Sequence, residues 1–246
     1  MILKMSKDAH LEPYRGMFSI TRILPGRILE PEGERPTFGP FSNIDHAFMS
    51  KGLTIKMHEH VDDEILSYVD KGISMHKDSA GYEVPIERGK LMVMNAGKSF
   101  WHEEKVPQEG VEMLQIFMRP EAPDLEPNIQ FHEKPVDNED WYTMVGPEDS
   151  DAPMTMRQNA YIMDAHVRAG NTLEIPNIPG LASFLYVMHG EIETGNEKAE
   201  RFEAIADIDE GLPPLTAHKD ATVVLFLVDL DAPMSTKGTI SSLTRY

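Results

Sequence analysis

Short runs of β-branched, aromatic and methionine residues recur along most of the chain, and turn-forming residues separate them. Runs such as AFMSKGLTIKM, EILSYV, KLMVMN and VEMLQIFM alternate with turn sequences such as DSAGYE and NAGKS. Their spacing of about 8 to 12 residues is typical of strands in a β-sandwich or barrel. Since no segment has the periodicity of a long amphipathic helix, the sequence predicts an all-β protein.

A proline-rich and acidic stretch, residues 119–151, divides this pattern into two halves. The motif YVDKG at residues 68–72 recurs as YVMHG at residues 186–190, each time after an apolar run and before another strand-like run. A chain of 246 residues is long enough for two β-domains with a core each. We therefore predict a duplicated fold, with an amino-terminal domain over residues 1–135 and a carboxy-terminal domain over residues 136–246.

The composition narrows the classes of partner and cofactor. The formal net charge is -18 and the basic residues form no cluster, which argues against nucleic acid binding because that binding depends on cationic side chains. No apolar run reaches the roughly 20 residues of a membrane helix and no signal-peptide pattern begins the chain, so we expect a cytoplasmic protein without a membrane partner. Because the chain has no cysteine, a metal would have to bind to histidine, aspartate or glutamate.

The stretch MHEHVDDEI, residues 57–65, places two histidines one residue apart within a run of acids. In a β-strand, alternate residues face the same side of the sheet. If the whole stretch is one strand, His58, His60, Asp62 and Glu64 project the same way. Such a face would be either a binding site or a hydrated surface.

A second pair, His102 and Glu104, ends the stretch MNAGKSFWHEE about forty residues later. These two side chains also share a face if the stretch is a strand. Two neighbouring strands could then direct four ligands, including His58 and His60, toward one ion inside a barrel. We expect the remaining histidines to be surface or hydrogen-bonded core residues: His10, His46, His76, His132, His166, His189 and His218.

Two such histidine pairs, the second preceded by an Asn-Ala-Gly turn, resemble the cupin signature. The final glutamate of HEE, the later EPNIQF and the run AYIMDAHVRAGNTLEIP further resemble the pirin family, over roughly residues 15–235. The resemblance implies a bicupin fold, in which two antiparallel β-barrels of the jelly-roll type pack face to face. It also implies a metal in the amino-terminal barrel only.

Carried over to this chain, the family's metal ligands fall on His58, His60, His102 and Glu104. Glu64 would lie behind the ligands, although many cupins bind the metal through the glutamate at this position, so Glu64 as the carboxylate ligand stays open. Either Glu104 or Glu64 could accept a substrate proton as a general base.

The chain departs from the family directly after the two histidines. Val61, Asp62 and Asp63 stand where the family usually carries Arg-Gly-Phe. By strand parity we expect Asp62 to add negative charge near the mouth of the pocket. In the second half, the positions equivalent to the paired histidines lie near Pro176 and Ile178, which cannot bind a metal, so we interpret that barrel as structural.

Three imidazoles and one carboxylate suit Fe(II), with Mn, Ni, Co, Cu and Zn as alternatives. The resemblance implies a dioxygenase that opens flavonols such as quercetin with dioxygen. A second hypothesis is a non-enzymatic regulator whose binding to a protein partner depends on the metal. A metal-free sugar-binding or isomerase-like cupin is a third, which leaves the four candidate ligands unexplained.

Overall fold

The computed structural model describes residues 1–33 and 36–243, and nearly all of its regular structure is β-strand. Two short 3-10 helices, Lys7–Ala9 and Pro25–Ile28, are the helical elements of these residues. Within the described residues, neither has the length and apolar character needed to cross a membrane. The predicted all-β class is confirmed.

The strands up to the linker stretch are numbered in chain order. They are β1 (Ile2–Met5), β2 (Leu11–Tyr14), β3 (Phe18–Ile23), β4 (Phe41–Met49), β5 (Thr54–His60), β6 (Glu64–Lys71), β7 (Ile73–Asp78), β8 (Glu83–Glu87), β9 (Lys90–Asn95), β10 (Phe100–Lys105), β11 (Val111–Met118) and β12 (Asn128–Glu133). The strands of the second half follow. They are β13 (Tyr142–Gly146), β14 (Met154–Thr155), β15 (Ala160–Val167), β16 (Thr172–Leu173), β17 (Ala182–Thr194), β18 (Glu197–Glu200), β19 (Ala204–Asp207) and β20 (Leu215–Val228).

Hydrogen bonding groups these strands into three sheets. A seven-stranded sheet in the order β12-β9-β6-β11-β4-β3-β2 and a four-stranded sheet in the order β5-β10-β7-β8 form the first half. A nine-stranded sheet, whose central path is β1-β19-β17-β20-β15-β13-β14, forms the second half. Among the described residues none of these strand orders closes into a barrel, which is consistent with jelly-roll sheets, and the pairing between strands is antiparallel except between β13 and β14.

The largest hydrophobic cluster lies between the two halves. Phe41 of the seven-stranded sheet stacks on Phe226 of the nine-stranded sheet, with ring centroids 4.1 Å apart. The sequence of strand β11 is apolar at most positions because both faces of the strand are covered. Leu114 belongs to the cluster between the halves, whereas Met113 and Phe117 belong to clusters inside the first half. A strand covered on both faces needs apolar residues on both.

The repeated YVxxG motif has a structural counterpart in each half. The Tyr68 hydroxyl donates to Asp164 of the second half at 3.0 Å, and the Tyr186 hydroxyl lies 2.8 Å from Nδ1 of His46 in the first half. Gly72 and its counterpart Gly190 both have positive φ and both face a backbone carbonyl that a β-carbon would contact at 2.4 Å or 2.3 Å. Both copies of the repeat therefore form a glycine turn with positive φ, and both tyrosine hydroxyls contact a polar side chain of the other half, Asp164 in one case and His46 in the other.

The two ends of the chain cross between the halves. Strand β1 pairs with β19 and so extends the sheet of the second half. The segment after β20 returns to the first half, where the amide of Ser235 donates to the carbonyl of Pro120 at 2.8 Å. The domain boundary between residues 135 and 136 stays a prediction. Strand β1 falls in the first predicted domain but lies in the sheet of the second half. The segment after β20 falls in the second predicted domain but contacts the first half.

Candidate metal centre

Strands β5 and β10 are neighbours, as expected for the two histidine-bearing segments. His58 lies directly opposite His102, and His60 lies opposite Phe100. After the His58 pair the register shifts, because the next pair joins Glu104 to Ile55. Beside this irregularity, the Lys56 carbonyl oxygen lies 2.9 Å from Nδ1 of His58.

The hydrogen bonds of His58 and His60 determine which nitrogen of each ring carries the proton. Nδ1 of His58 donates to the Lys56 carbonyl, and Nδ1 of His60 donates to Asp63 Oδ2 at 3.0 Å. A ring that donates from Nδ1 and carries no second proton has a lone pair on Nε2, and the two Nε2 atoms lie 3.2 Å apart. Two lone pairs at this distance repel each other unless a cation is shared between them.

His102 completes this arrangement from the neighbouring strand. Its side chain is only 2% exposed, and among the described residues neither ring nitrogen has a hydrogen-bond partner. Burial, followed by the proximity of His60 and His58, holds the pKa of His102 well below its usual range. One ligand atom from each of the three histidines lies within 4.8 Å of the others. Three converging imidazoles, one of which has no hydrogen-bond partner on either nitrogen, fit a divalent transition metal.

Glu104 lines the same cavity but lies outside the three-histidine group. Its side chain is buried, and Nε2 of Gln115 donates to its Oε1 at 3.0 Å. Burial raises the pKa of Glu104 to about 7. The structure thus places Glu104 beside the histidines, and its role as a fourth ligand stays a prediction.

Glu64 does not lie with the histidines. Strand β5 ends at His60, and Glu64 begins β6 in the other sheet. Its carboxylate is fully buried and accepts hydrogen bonds from Nη2 and Nε of Arg157, at 2.5 and 2.9 Å, and from Nδ2 of Asn95. The expectation of one shared face from residue 58 to residue 64 is wrong, because the strand stops halfway.

Asp62 is also placed differently from the expectation. It adopts a left-handed backbone conformation, with φ of 52°, in the turn between β5 and β6. Its buried carboxylate accepts the backbone N–H of Asp124 at 2.7 Å and does not line the cavity. The following residue, Asp63, contacts a candidate ligand instead.

One contributor to the site has no role in the sequence prediction. Asp63 contacts the candidate ligand His60, and nothing in the spacing of the sequence distinguishes it from Asp62. His76 lies opposite Glu104 on β7, but it is outside the cavity lining and the three-histidine group. It is buried with its Nε2 2.8 Å from Asp78 Oδ2, which is the hydrogen-bonded core position expected for it.

A cavity of about 260 Å³ opens onto the three histidines and Glu104. Apolar side chains form much of its wall, and an ion pair between Arg22 and Asp45, with contacts of 2.5 and 2.6 Å, adds a polar edge. The other lining residues are Pro13, Tyr14, Phe18, Ile20, Ile55, Gln115, Phe117, Thr239 and Ile240. This volume and lining suit a small planar organic molecule beside a metal.

Comparison with known proteins connects this site to a family. Residues 30–118 match the Pirin family, and residues 143–228 match the Quercetinase C-terminal cupin domain family. A protein of Escherichia coli named quercetin 2,3-dioxygenase is 25% identical over 201 residues, which cover 78% of this chain and 84% of that protein.

Solved structures agree with the fold. The crystal structure of YhhW from Escherichia coli has a TM-score of 0.82 at 20% identity, covering 93% of this chain and 97% of that chain. The structure described as bacterial pirin YhhW in complex with nickel(II) has a TM-score of 0.80 at 20% identity, covering 93% and 99%. The predicted bicupin fold is confirmed. With family matches on both sides of the linker and this fold across both halves, the chain belongs to the pirin family of bicupins.

Proposed function

We propose that this protein is a metal-dependent dioxygenase that acts on flavonol-like aromatic substrates. The observation that carries the proposal is the approach of Nε2 of His58 and Nε2 of His60 to 3.2 Å, beside the unpartnered ring of His102. These atoms face a cavity with aromatic walls. The similarity to proteins named quercetin 2,3-dioxygenase supports the choice of reaction and substrate class.

The three histidines would hold the metal, with Glu104 as the proposed fourth ligand. Nitrogen and oxygen donors without sulfur suit Fe(II), and they also accept Mn, Ni, Co, Cu or Zn. Any of these metals would supply Lewis acidity toward a substrate hydroxyl, and all except the redox-inert Zn could also exchange electrons with dioxygen.

Glu104 is the residue that would accept the substrate's proton, once its carboxylate has detached from the metal. Burial raises the pKa of Glu104 to about 7 in the metal-free chain, so a carboxyl group that is detached from the metal can exchange a proton near neutral pH, which suits a general base. Gln115 binds one of its oxygens and holds the group in place, so the other oxygen can face the substrate hydroxyl. We do not assign this step to Glu64, because Arg157 and Asn95 already donate hydrogen bonds to its carboxylate oxygens.

The cavity walls would orient a planar substrate and exclude water. Phe117 is buried, and its ring lies 6.3 Å from that of His60. Phe18 and Tyr14 stack on each other at 5.4 Å near the entrance. Aromatic faces of this kind favour stacking with a flat aromatic ligand.

Metal content tests the site directly. We expect His60→Ala and His102→Ala to lose most of the bound metal in elemental analysis, because each removes one of three converging donors. His166→Ala and His218→Ala serve as controls and should keep it, since both residues lie outside the cluster. Equal metal content in all four histidine variants would disprove the site.

Glu104→Gln should lower the turnover number for quercetin by about 100-fold or more.

Substrate binding tests the reaction class. Under anaerobic conditions, Fe(II)-loaded protein should shift the absorption spectrum of added quercetin, since a metal-bound flavonol loses its hydroxyl proton. Absence of a shift with iron, copper, manganese and nickel alike would contradict the dioxygenase proposal and favour a metal-dependent regulator.

A further inference from the structure

We propose that Asp63 is a positioning residue that couples the metal centre to the carboxy-terminal segment of the chain. We call residues 235–243 the C-terminal strap. Metal binding at His60 and docking of the strap would then strengthen each other. This inference rests on the proposed function only in taking His60 as a metal ligand.

The carboxylate of Asp63 is fully buried and joins the two elements. Its Oδ2 accepts Nδ1–H of His60 at 3.0 Å and the backbone N–H of Ile240 at 3.1 Å. Its Oδ1 accepts the backbone N–H of Ser241 at 3.0 Å and the Ser241 hydroxyl at 2.6 Å. One side chain thus orients a candidate ligand and holds three donors of the strap.

Further contacts hold the strap on the turn that follows β5. The backbone N–H of Thr239 donates to the Val61 carbonyl at 3.0 Å, and the Val61 N–H donates to Oγ1 of Thr239 at 2.7 Å. Nε of Arg119 donates to the Ser241 carbonyl at 2.7 Å. Thr239 and Ile240 also line the cavity, so the strap supplies part of the wall of the candidate active site.

The coupling has a simple physical basis. A carboxylate that accepts Nδ1–H of a ligating histidine fixes the tautomer and the ring orientation, and loss of such partners typically weakens metal binding. The donors of the strap hold the Asp63 carboxylate in the orientation that His60 requires. If metal binding favours the docked strap, docking must favour metal binding by the same factor.

Amide hydrogen exchange measures this coupling without any assay of turnover. In the wild-type chain, saturating Ni(II) should slow exchange of the Ile240 and Ser241 amides by about 5-fold or more. In Asp63→Asn this effect should disappear, and the dissociation constant for Ni(II), measured against a chelator, should rise by about 10- to 100-fold. Asp62→Asn is the matched control, because it makes the same change at the preceding residue, whose carboxylate accepts the backbone N–H of Asp124 instead.

A spectroscopic signal separates positioning from simple loss of structure. In Co(II)-loaded protein, the exchangeable Nδ1–H proton of His60 should give a paramagnetically shifted resonance. We expect this resonance to move or vanish in Asp63→Asn and to stay unchanged in Asp62→Asn.

A second variant displaces the strap without altering Asp63 or a histidine. Gly238 has φ of 149°, and a β-carbon there would lie 2.9 Å from Asp63 Oδ1 and 2.5 Å from the Ser241 hydroxyl oxygen. Gly238→Ala should therefore weaken Ni(II) binding while the thermal unfolding transition of the chain remains cooperative.

The outcomes distinguish this inference from the proposed function. If Ni(II) binds to the wild-type chain but leaves strap exchange unchanged, or if Gly238→Ala and Asp63→Asn bind Ni(II) as tightly as the wild type, the coupling is disproved. If coupling is present but quercetin is not oxidised, the coupling stands and the dioxygenase proposal fails.

Discussion

At the scale of single residues, one turn decides the roles of the acids that follow the paired histidines. Asp62 takes a positive φ, a conformation in which glycine is favoured. Asp63 then remains beside His60 and accepts its Nδ1–H. Parity along the sequence assigned the wrong acids, because alternation holds only while the strand continues.

Metal uptake should depend on pH through Glu104. Burial raises the pKa of this carboxyl group to about 7, and burial likewise keeps His102 neutral. With Glu104 as the proposed fourth ligand, protons compete with the metal for its carboxylate below about pH 7, and affinity should rise as the pH increases through that value. Titration of Ni(II) binding from about pH 6 to pH 8 measures this rise.

Glu104→Gln is the control for this pH dependence. The amide cannot be deprotonated, so the rise centred near pH 7 should be lost in the variant. An unchanged profile in Glu104→Gln would show that another group controls uptake.

At the scale of elements, the start of β6 is fixed by a contact with the second half. Glu64 begins this strand, and Arg157, from the segment before β15, binds its carboxylate with contacts as short as 2.5 Å. Burial raises the pKa of Glu64 despite this partner. The stretch EILSYV predicts the strand itself. It does not predict the role of Glu64, the polar first residue, because that role depends on the contact with Arg157 from the second half.

Arg157→Met should destabilise the protein by about 3 to 5 kcal/mol, because it leaves Glu64 buried without its counterion. Urea unfolding at neutral pH measures the change. The double variant Arg157→Met with Glu64→Gln should recover much of the loss, since no buried charge remains. A loss below about 1 kcal/mol in Arg157→Met would be typical of an exposed ion pair and would contradict this account.

At the scale of the whole molecule, polar contacts between the halves accompany the aromatic core. Lys134 lies 2.9 Å from Asp164, and Glu112 accepts Nη2 of Arg201 at 2.5 Å. Asp70, Glu112 and His189 also have ligand atoms close together, but the guanidinium of Arg201 already supplies the cation beside Glu112. These contacts and the exchanged chain ends make the two halves one interlocked unit.

This interface should be sensitive to acid. Burial raises the pKa values of Asp70 and Glu112, but hydrogen bonds with His189 and His46 outweigh it and leave both pKa values below their usual range. Carboxylates with a lowered pKa stabilise the folded state above their ordinary pKa, and this contribution is lost as the pH falls through the folded-state value. We therefore expect the free energy of unfolding to fall below about pH 4.

Urea unfolding at several pH values checks this expectation. Glu112→Gln should lower stability near pH 7 and reduce the fall in stability toward acid, since one of the responsible carboxylates is gone. An equal dependence on pH in both proteins would show that the acid sensitivity arises elsewhere.

The sequence by itself determined the all-β class, the two halves and the histidines that the structure brings together. Strand alternation, turn residues and the recurring ligand pairs are local features, and they survive in almost any packing of the strands. Only the tertiary structure decided that Asp63 rather than Asp62 or Glu64 contacts His60, and that the strap forms a wall of the cavity. The bonds between Asp63 and Ser241 join positions 178 residues apart, and such partners are chosen by how the two halves pack rather than by neighbouring residues.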